Sequence, residues 1–399
     1  MITLAKRAQL LKPSPILMLA ARAGELKAAG KNVISLSIGE PDWDTYDNIK
    51  EAAIKSIREN KTRYTPPAGI PELRKAVAAQ VSKDLGVNYD MSQVTVSAGA
   101  KFVLFASLQA LVNPGDEVIL AAPFWASYST MVELADGVPR IAVCDESVDF
   151  KLTPEILKKA ITSKTKAILL NSPSNPTGKV YSKDELKGLA EVFRANPQIA
   201  IISDDIYNRL SFDSPLAPHI LHVAPDLADR VIVLNGASKS YAMTGWRLGW
   251  ALGPKEIITA MTNYQSQSVS CASATTQYAA LEAVLNSEAS VTNTVKVLKD
   301  RRDFLIHELE TIPKVRVAIP EGAFYLWVNI SAYMGKSLKG KLLKTSGDLC
   351  AALLDDQLVV AVPGDEFGLD GYLRLSYALE KEKGREAVQR MKTFFTSLT

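Results

Sequence analysis

The chain predicts an α/β protein: a mostly parallel sheet covered by helices, with a second, smaller α/β unit built from both termini. Through its middle, short apolar runs rich in β-branched residues alternate with stretches of helical periodicity, the order that a sheet with crossover helices requires. Beyond about residue 285 the pattern changes: Glu288 to Leu309 reads as one long charged helix, followed by a shorter set of strand and helix segments. The larger unit is therefore expected over residues 46–285, and the smaller over 1–45 together with 286–399.

The polar residues with chemical potential fall just beyond the strand-like runs. Val94-Thr-Val-Ser97 passes through Ala98-Gly-Ala-Lys101 into a helical pattern over Phe102 to Leu111. Free amides and the helix dipole make such a start an anion site, with Gly99, Ala100 and Lys101 as candidates. Glu117-Val-Ile-Leu-Ala121 leads to Trp125, which on its own would more often be core packing. Lys166-Ala-Ile-Leu-Leu170 runs into Asn171-Ser-Pro-Ser-Asn-Pro-Thr-Gly178, where Asn175 could be an ordinary turn residue. Ile201-Ile-Ser203 ends in Asp204 and Asp205, with Tyr207 close behind. Ligands collect beyond the carboxyl ends of strands in such sheets, so Asp204 can point into a pocket, although a helix N-cap would use the same residue. Last, Val231-Ile-Val-Leu234 opens Asn235-Gly-Ala-Ser-Lys-Ser-Tyr-Ala-Met-Thr-Gly-Trp-Arg-Leu-Gly-Trp250. A lysine at the mouth of a buried strand, among small residues and with Arg247 following, is poorly explained as surface charge.

Together these segments resemble the signature of class I aminotransferases of fold type I, enzymes that use pyridoxal phosphate. The resemblance implies that Lys239 carries the cofactor as a Schiff base and moves the substrate proton, and that Asp204 keeps the pyridine nitrogen protonated. It implies that Tyr207 and Asn175 donate to the ring oxygen, that Trp125 stacks on the ring, and that Gly99, Ala100, Lys101 and Arg247 hold the phosphate. A planar guanidinium suits that last contact. Three departures stand beside these positions: Ser174 replaces a common Asn, Ala100 a second glycine and Asp205 a frequent Glu. Thr62-Arg-Tyr-Thr-Pro-Pro-Ala-Gly-Ile-Pro-Glu-Leu-Arg74 resembles the segment whose tyrosine, here Tyr64, reaches the phosphate of the other subunit, which implies a homodimer with shared sites.

The same resemblance supplies substrate contacts. Arg374, in Tyr372-Leu-Arg-Leu-Ser-Tyr-Ala378, would otherwise pass for the wet face of an edge strand; the match implies a clamp on the substrate α-carboxylate. Ser35-Leu-Ser-Ile-Gly-Glu-Pro-Asp42 resembles the loop in which the Gly39 backbone touches the amino acid, and Trp125 and Asn175 are implied to contact it as well. Gly322-Ala-Phe-Tyr-Leu-Trp327 and Val362-Pro-Gly-Asp365 also match, so the similarity covers essentially the whole chain. Lys12, in Leu10-Leu-Lys-Pro-Ser-Pro15, is similar to a position in the thermophile-like subgroup of bacterial aspartate aminotransferases that helps recognise a distal carboxylate. A lysine in a flexible tail explains it equally well.

The expected activity is transfer of the amino group of L-aspartate to 2-oxoglutarate by a ping-pong cycle through the pyridoxal and pyridoxamine forms. Aromatic amino acids, prephenate, alanine and methionine are the alternative substrates. A cofactor-binding regulator is the reading from another class, disfavoured because about forty residues ahead of the cofactor unit leave no room for a DNA-binding domain.

Composition bounds these expectations without producing them. With 399 residues, 47% of them apolar, and a formal charge of +3, the chain can bury substantial cores and gives no argument for a nucleic-acid or membrane partner. Cys144, Cys271 and Cys350 are widely spaced and odd in number, so neither a disulfide framework nor a zinc spacing is visible and a cytoplasmic location is expected. Gly335-Lys-Ser337 lacks the glycine that a phosphate loop needs at position 330, which is Ile330. His219 and His222 have only approximate metal-pair spacing and no third ligand.

Overall fold

A computed structural model describes residues 2–11 and 15–399. Its centre is a seven-stranded sheet in the spatial order Val94–Ser97, Gly249–Leu252, Val231–Gly236, Ala200–Asp204, Thr165–Asn171, Glu117–Ala122 and Val138–Val143. All neighbours are parallel except Gly249–Leu252, which is antiparallel to both of its partners. Five of these strands coincide with the apolar runs that predict them. The antiparallel strand lies unannounced in the tail of the Lys239 segment, and Val138–Val143 is an edge strand opened by Val138-Pro139.

Why the central strands read as continuous apolar runs is plain from their neighbours. Ile201 and Val233 face one core, whereas Ile202, Ile232 and Leu234 face the other, so both faces are covered and there is no polar side to alternate. Helix Ala100–Leu111 packs on the second face. Its close approach to the sheet depends on Gly249, where an added Cβ would stand 2.3 Å from the Ala100 nitrogen.

A second, four-stranded antiparallel sheet orders Val362–Pro363, Tyr372–Ser376, Tyr325–Asn329 and Arg316–Ala318. Helix Glu288–Leu309 has the bounds its charge pattern predicts. The early chain is stitched to the late chain: Ile34–Ser35 pairs in parallel with Val359–Val360, and the Ser376 amide donates to the Leu36 carbonyl at 2.6 Å. The strand bearing Arg374 is flanked on both sides and all five of its residues are buried, which excludes the wet-edge reading of that arginine.

Other sequence features resolve as structure. Asp204 ends its strand in a turn and caps no helix. His219 accepts from the Leu221 amide at 3.1 Å and caps a short helix. Among the described residues there is no group of side chains suited to a metal and no helix long and apolar enough to cross a membrane.

Candidate active site

Between the carboxyl ends of the parallel strands and the second sheet lies a cavity of about 740 Å³. Gly39, Ala100, Lys101, Trp125, Asn175, Asp204, Tyr207, Lys239, Arg247 and Arg374 all line it. Residues far apart in sequence meet there because each strand ends at the same edge of the sheet.

One end is built for an anion. Helix Ala100–Leu111 begins there with Gly99 as its N-cap at φ 94°, and the Ala100 and Lys101 amides have no hydrogen-bond partner among the described residues. Arg247 lies across this start: a Cβ on Gly99 would stand 2.7 Å from its guanidinium and displace it, and the positive φ itself favours glycine. Arg247 itself has a φ of 56°, a costly conformation for a residue with a side chain. Its loop is held by Thr45, whose hydroxyl donates to the Ala242 carbonyl at 2.6 Å and accepts from the Trp246 indole at 2.9 Å. The Lys101 ammonium lies 4.8 Å from the centre of the Trp125 ring, and burial, with Arg247 beside it, lowers its pKa.

At the cavity floor Asp204 is 7% exposed. Burial raises its pKa, while a hydrogen bond from the Tyr128 hydroxyl at 2.7 Å, the Ile206 amide and the nearby Lys239 oppose that rise. Tyr128 sits edge-on to Trp125, with ring centres 5.5 Å apart. Asp205, next in sequence, turns to the other side of the strand, where Ser203 and His219 meet it.

Lys239 extends from the loop after Val231–Gly236 and donates to the Gly39 carbonyl. Its stem is enclosed and its amine opens on the cavity. Burial, then the charges of Arg374 and Arg247, push its pKa down to about 8 against the weaker pull of Glu40 and Asp204. A neutral amine is thereby accessible near neutral pH. Arg374, 5% exposed, donates to the Asn175 side-chain oxygen at 3.1 Å and the Ser37 carbonyl at 2.9 Å, and its Nε has no partner. None of the described carboxylates pairs with this buried cation. Because the Asn175 oxygen accepts from Arg374, its Nδ2 amide is the end left to donate.

Two candidates stand apart. Tyr64 is 93% exposed and does not line the cavity of its own chain, and Lys12 lies outside the described residues. Three side chains join the site without having been singled out: Tyr128, Tyr325, whose hydroxyl is 2.9 Å from that of Tyr207, and Asn171, which donates to the Asp204 carbonyl and accepts from the Asn175 amide, each at 2.8 Å. Tyr325 lies in the Gly322–Trp327 match; only pairing across the sheets shows its place.

An anion cradle at one end, a buried carboxylate at the floor, an indole wall and an amine with a depressed pKa fit the phosphate, ring nitrogen, ring face and aldehyde of pyridoxal phosphate. Fold and site define a pyridoxal-phosphate-dependent transaminase of fold type I. The chain belongs to the aminotransferase class I and II family, whose model matches residues 31–391. It is 44% identical over 389 residues to the aspartate/prephenate aminotransferase of Cereibacter sphaeroides, covering 97% of each chain. It is 41% identical over 379 residues to the aspartate aminotransferase of Rhizobium meliloti, 95% of this chain and 92% of that one. The crystal structure of an aspartate aminotransferase from Rhizobium meliloti superposes with a TM-score of 0.96 at 39% identity, covering 100% of both chains. That of Thermus thermophilus aspartate aminotransferase with maleate gives 0.91 at 37%, covering 99% of this chain and 100% of that one.

Proposed function

We propose that this transaminase takes its amino group from L-aspartate and passes it to 2-oxoglutarate. The observation that carries the reading is Arg374: a buried guanidinium with neutral partners is incomplete until an anion arrives, and it opens on the same cavity as the Lys239 amine. An α-carboxylate would complete it through two charge-assisted hydrogen bonds. Lys27 and Lys101 line the same cavity and favour a substrate with a second carboxylate. Names of the relatives support the same substrate.

Bound pyridoxal phosphate would supply the conjugated, protonated ring that takes up the electron pair left on the substrate α-carbon. Asp204 would accept from the ring nitrogen, Tyr207 and Asn175 would donate to the ring oxygen, and the Ala100 and Lys101 amides with Gly99 and Arg247 would hold the phosphate. Lys239 Nζ would take the proton from the substrate α-carbon and hand it on across the substrate nitrogen, two atoms away, while Trp125 would keep water from the ring face. The unit over 46–285 would hold these groups, and the unit over 1–45 and 286–399 would bring Arg374 and Gly39 to the substrate. Tyr64 acts in a homodimer: an exposed tyrosine from a second copy would enter the open cavity of about 690 Å³ lined by Trp43, Thr45, Arg247 and Ser273.

The deciding experiment follows the visible spectrum of the holoenzyme on adding L-aspartate without any oxo acid. Conversion to the pyridoxamine form by aspartate, with little response to alanine or tyrosine, is expected; response to tyrosine or alanine alone would overturn the substrate. Prephenate is the second reading, favoured by the name of the Cereibacter relative and by its two carboxylates. It would show as re-oxidation of the pyridoxamine form by prephenate faster than by 2-oxoglutarate.

The pH dependence of cofactor capture tests Lys239 separately. Only the free amine attacks an aldehyde, and the amine is held at about 8. The rate at which apoprotein captures pyridoxal phosphate should therefore rise by about tenfold per pH unit below that value and level off above it. A rate that is flat from acid to alkaline pH would count against Lys239 as the nucleophile.

A further inference from the structure

Tyr325 is an interior phenol, 1% exposed, whose contacts reach both halves of the site. It opens the strand Tyr325–Asn329, and the antiparallel register that pairs Trp327 with Arg374 puts Tyr325 on the same face as that arginine. Its ring centre is 4.5 Å from the Arg374 guanidinium carbon, with Phe367 at 5.1 Å from the same carbon. Its hydroxyl is 2.9 Å from that of Tyr207, and a methyl on Gly39, the residue whose carbonyl accepts from Lys239, would stand 3.5 Å away.

Proton counting then fixes direction. Each phenol has one proton, and among the described residues the two hydroxyls have only each other as hydrogen-bond partners. If Tyr207 donates into the cavity, its oxygen must accept, and Tyr325 is the donor. The alternative, Tyr207 donating to Tyr325, would leave the cavity without that proton.

We infer that Tyr325 is a positioning residue for both halves of the site: its hydroxyl donates to Tyr207 and aims the Tyr207 proton into the cavity, and its ring holds the Arg374 guanidinium ready for a carboxylate. This rests on the proposed reading that Tyr207 donates to the ring oxygen of pyridoxal phosphate. The two roles separate by substitution, because phenylalanine keeps the ring and removes only the donor.

In the Tyr325→Phe holoenzyme a weakened donor leaves more electron density on the ring oxygen, which favours the protonated, yellow form of the bound cofactor. The pH midpoint of the visible absorption change should rise by about half a unit or more, while affinity for maleate, an unreactive dicarboxylate, stays within about twofold because the ring is kept. Tyr325→Leu should weaken maleate binding by roughly tenfold, the cation–π contact being lost from a desolvated site. In a Tyr207→Phe background, Tyr325→Phe should shift the midpoint no further. An unmoved midpoint in Tyr325→Phe, or an equal shift with Tyr207 absent, would overturn the inference and leave the cofactor reading intact. A wild-type protein with no pH-dependent visible band would overturn both. If Tyr325→Leu fails to fold, Tyr325→Phe still decides the hydroxyl's role.

Discussion

Replacing Lys239 by alanine is expected to lower amino transfer by roughly a hundred- to ten-thousand-fold, the range that a positioned proton-transfer group supplies. The variant should nevertheless fold and bind cofactor, now removable by dialysis, because the helix start at Ala100, Arg247 and Asp204 remain in place. Its apoprotein should be at least as stable as wild type. The folded-state pKa of Lys239 is depressed to about 8, below that of an unfolded lysine, so the folded protein works against a charged amine. That penalty is fully present below about pH 8, shrinks as pH rises, and is gone above the unfolded value. Allowing for partial exposure, it is on the order of 2 kcal/mol. Thermal unfolding at pH 7 and pH 10 checks the sign: the difference between variant and wild type should narrow at the higher pH. Retained turnover at the wild-type rate would remove Lys239 from its role.

Much of the site was legible because its polar groups stand a few residues beyond a buried strand. Lys239, Asp204 and Asn175 each follow a run whose apolar character comes from coverage on both faces, so strand and place in the cavity are announced together. Tyr128 and Tyr325 carry no such signal. Each is an ordinary aromatic residue in a mixed stretch, and its partner lies 76 or 118 residues away in sequence; only strand order and register bring them together. The strand Gly249–Leu252 was hidden for a related reason. It is buried along its whole length, so it lacks alternation, and it is too short to stand out from the loop that precedes it. Arg374 shows the opposite failure: one arginine and one serine make its strand look half-wet, whereas both neighbouring strands are present, Arg374 lines the cavity and the Ser376 hydroxyl accepts from the Ala378 amide.

Arg374→Leu should separate function from stability most sharply. The guanidinium is buried against an amide oxygen, a carbonyl and two aromatic rings, with its Nε unpaired. Burial lowers its pKa, and no described carboxylate stands close enough to restore it. Leucine fills part of the volume without a charge to desolvate, so the ligand-free variant should unfold at the same temperature as wild type or above it, as buried cations without partners commonly allow. A substrate α-carboxylate, however, would enter a pocket with nothing to meet its charge. Losing one partner of a buried ion pair costs about 3–5 kcal/mol, which corresponds to a fall in kcat/KM of about a hundred- to several-thousand-fold. Amines that lack an α-carboxylate should react no worse with the variant than with wild type, since they never use the clamp. Equal losses for aspartate and for such an amine would mean that Arg374 supports the shape of the cavity and does not bind the carboxylate.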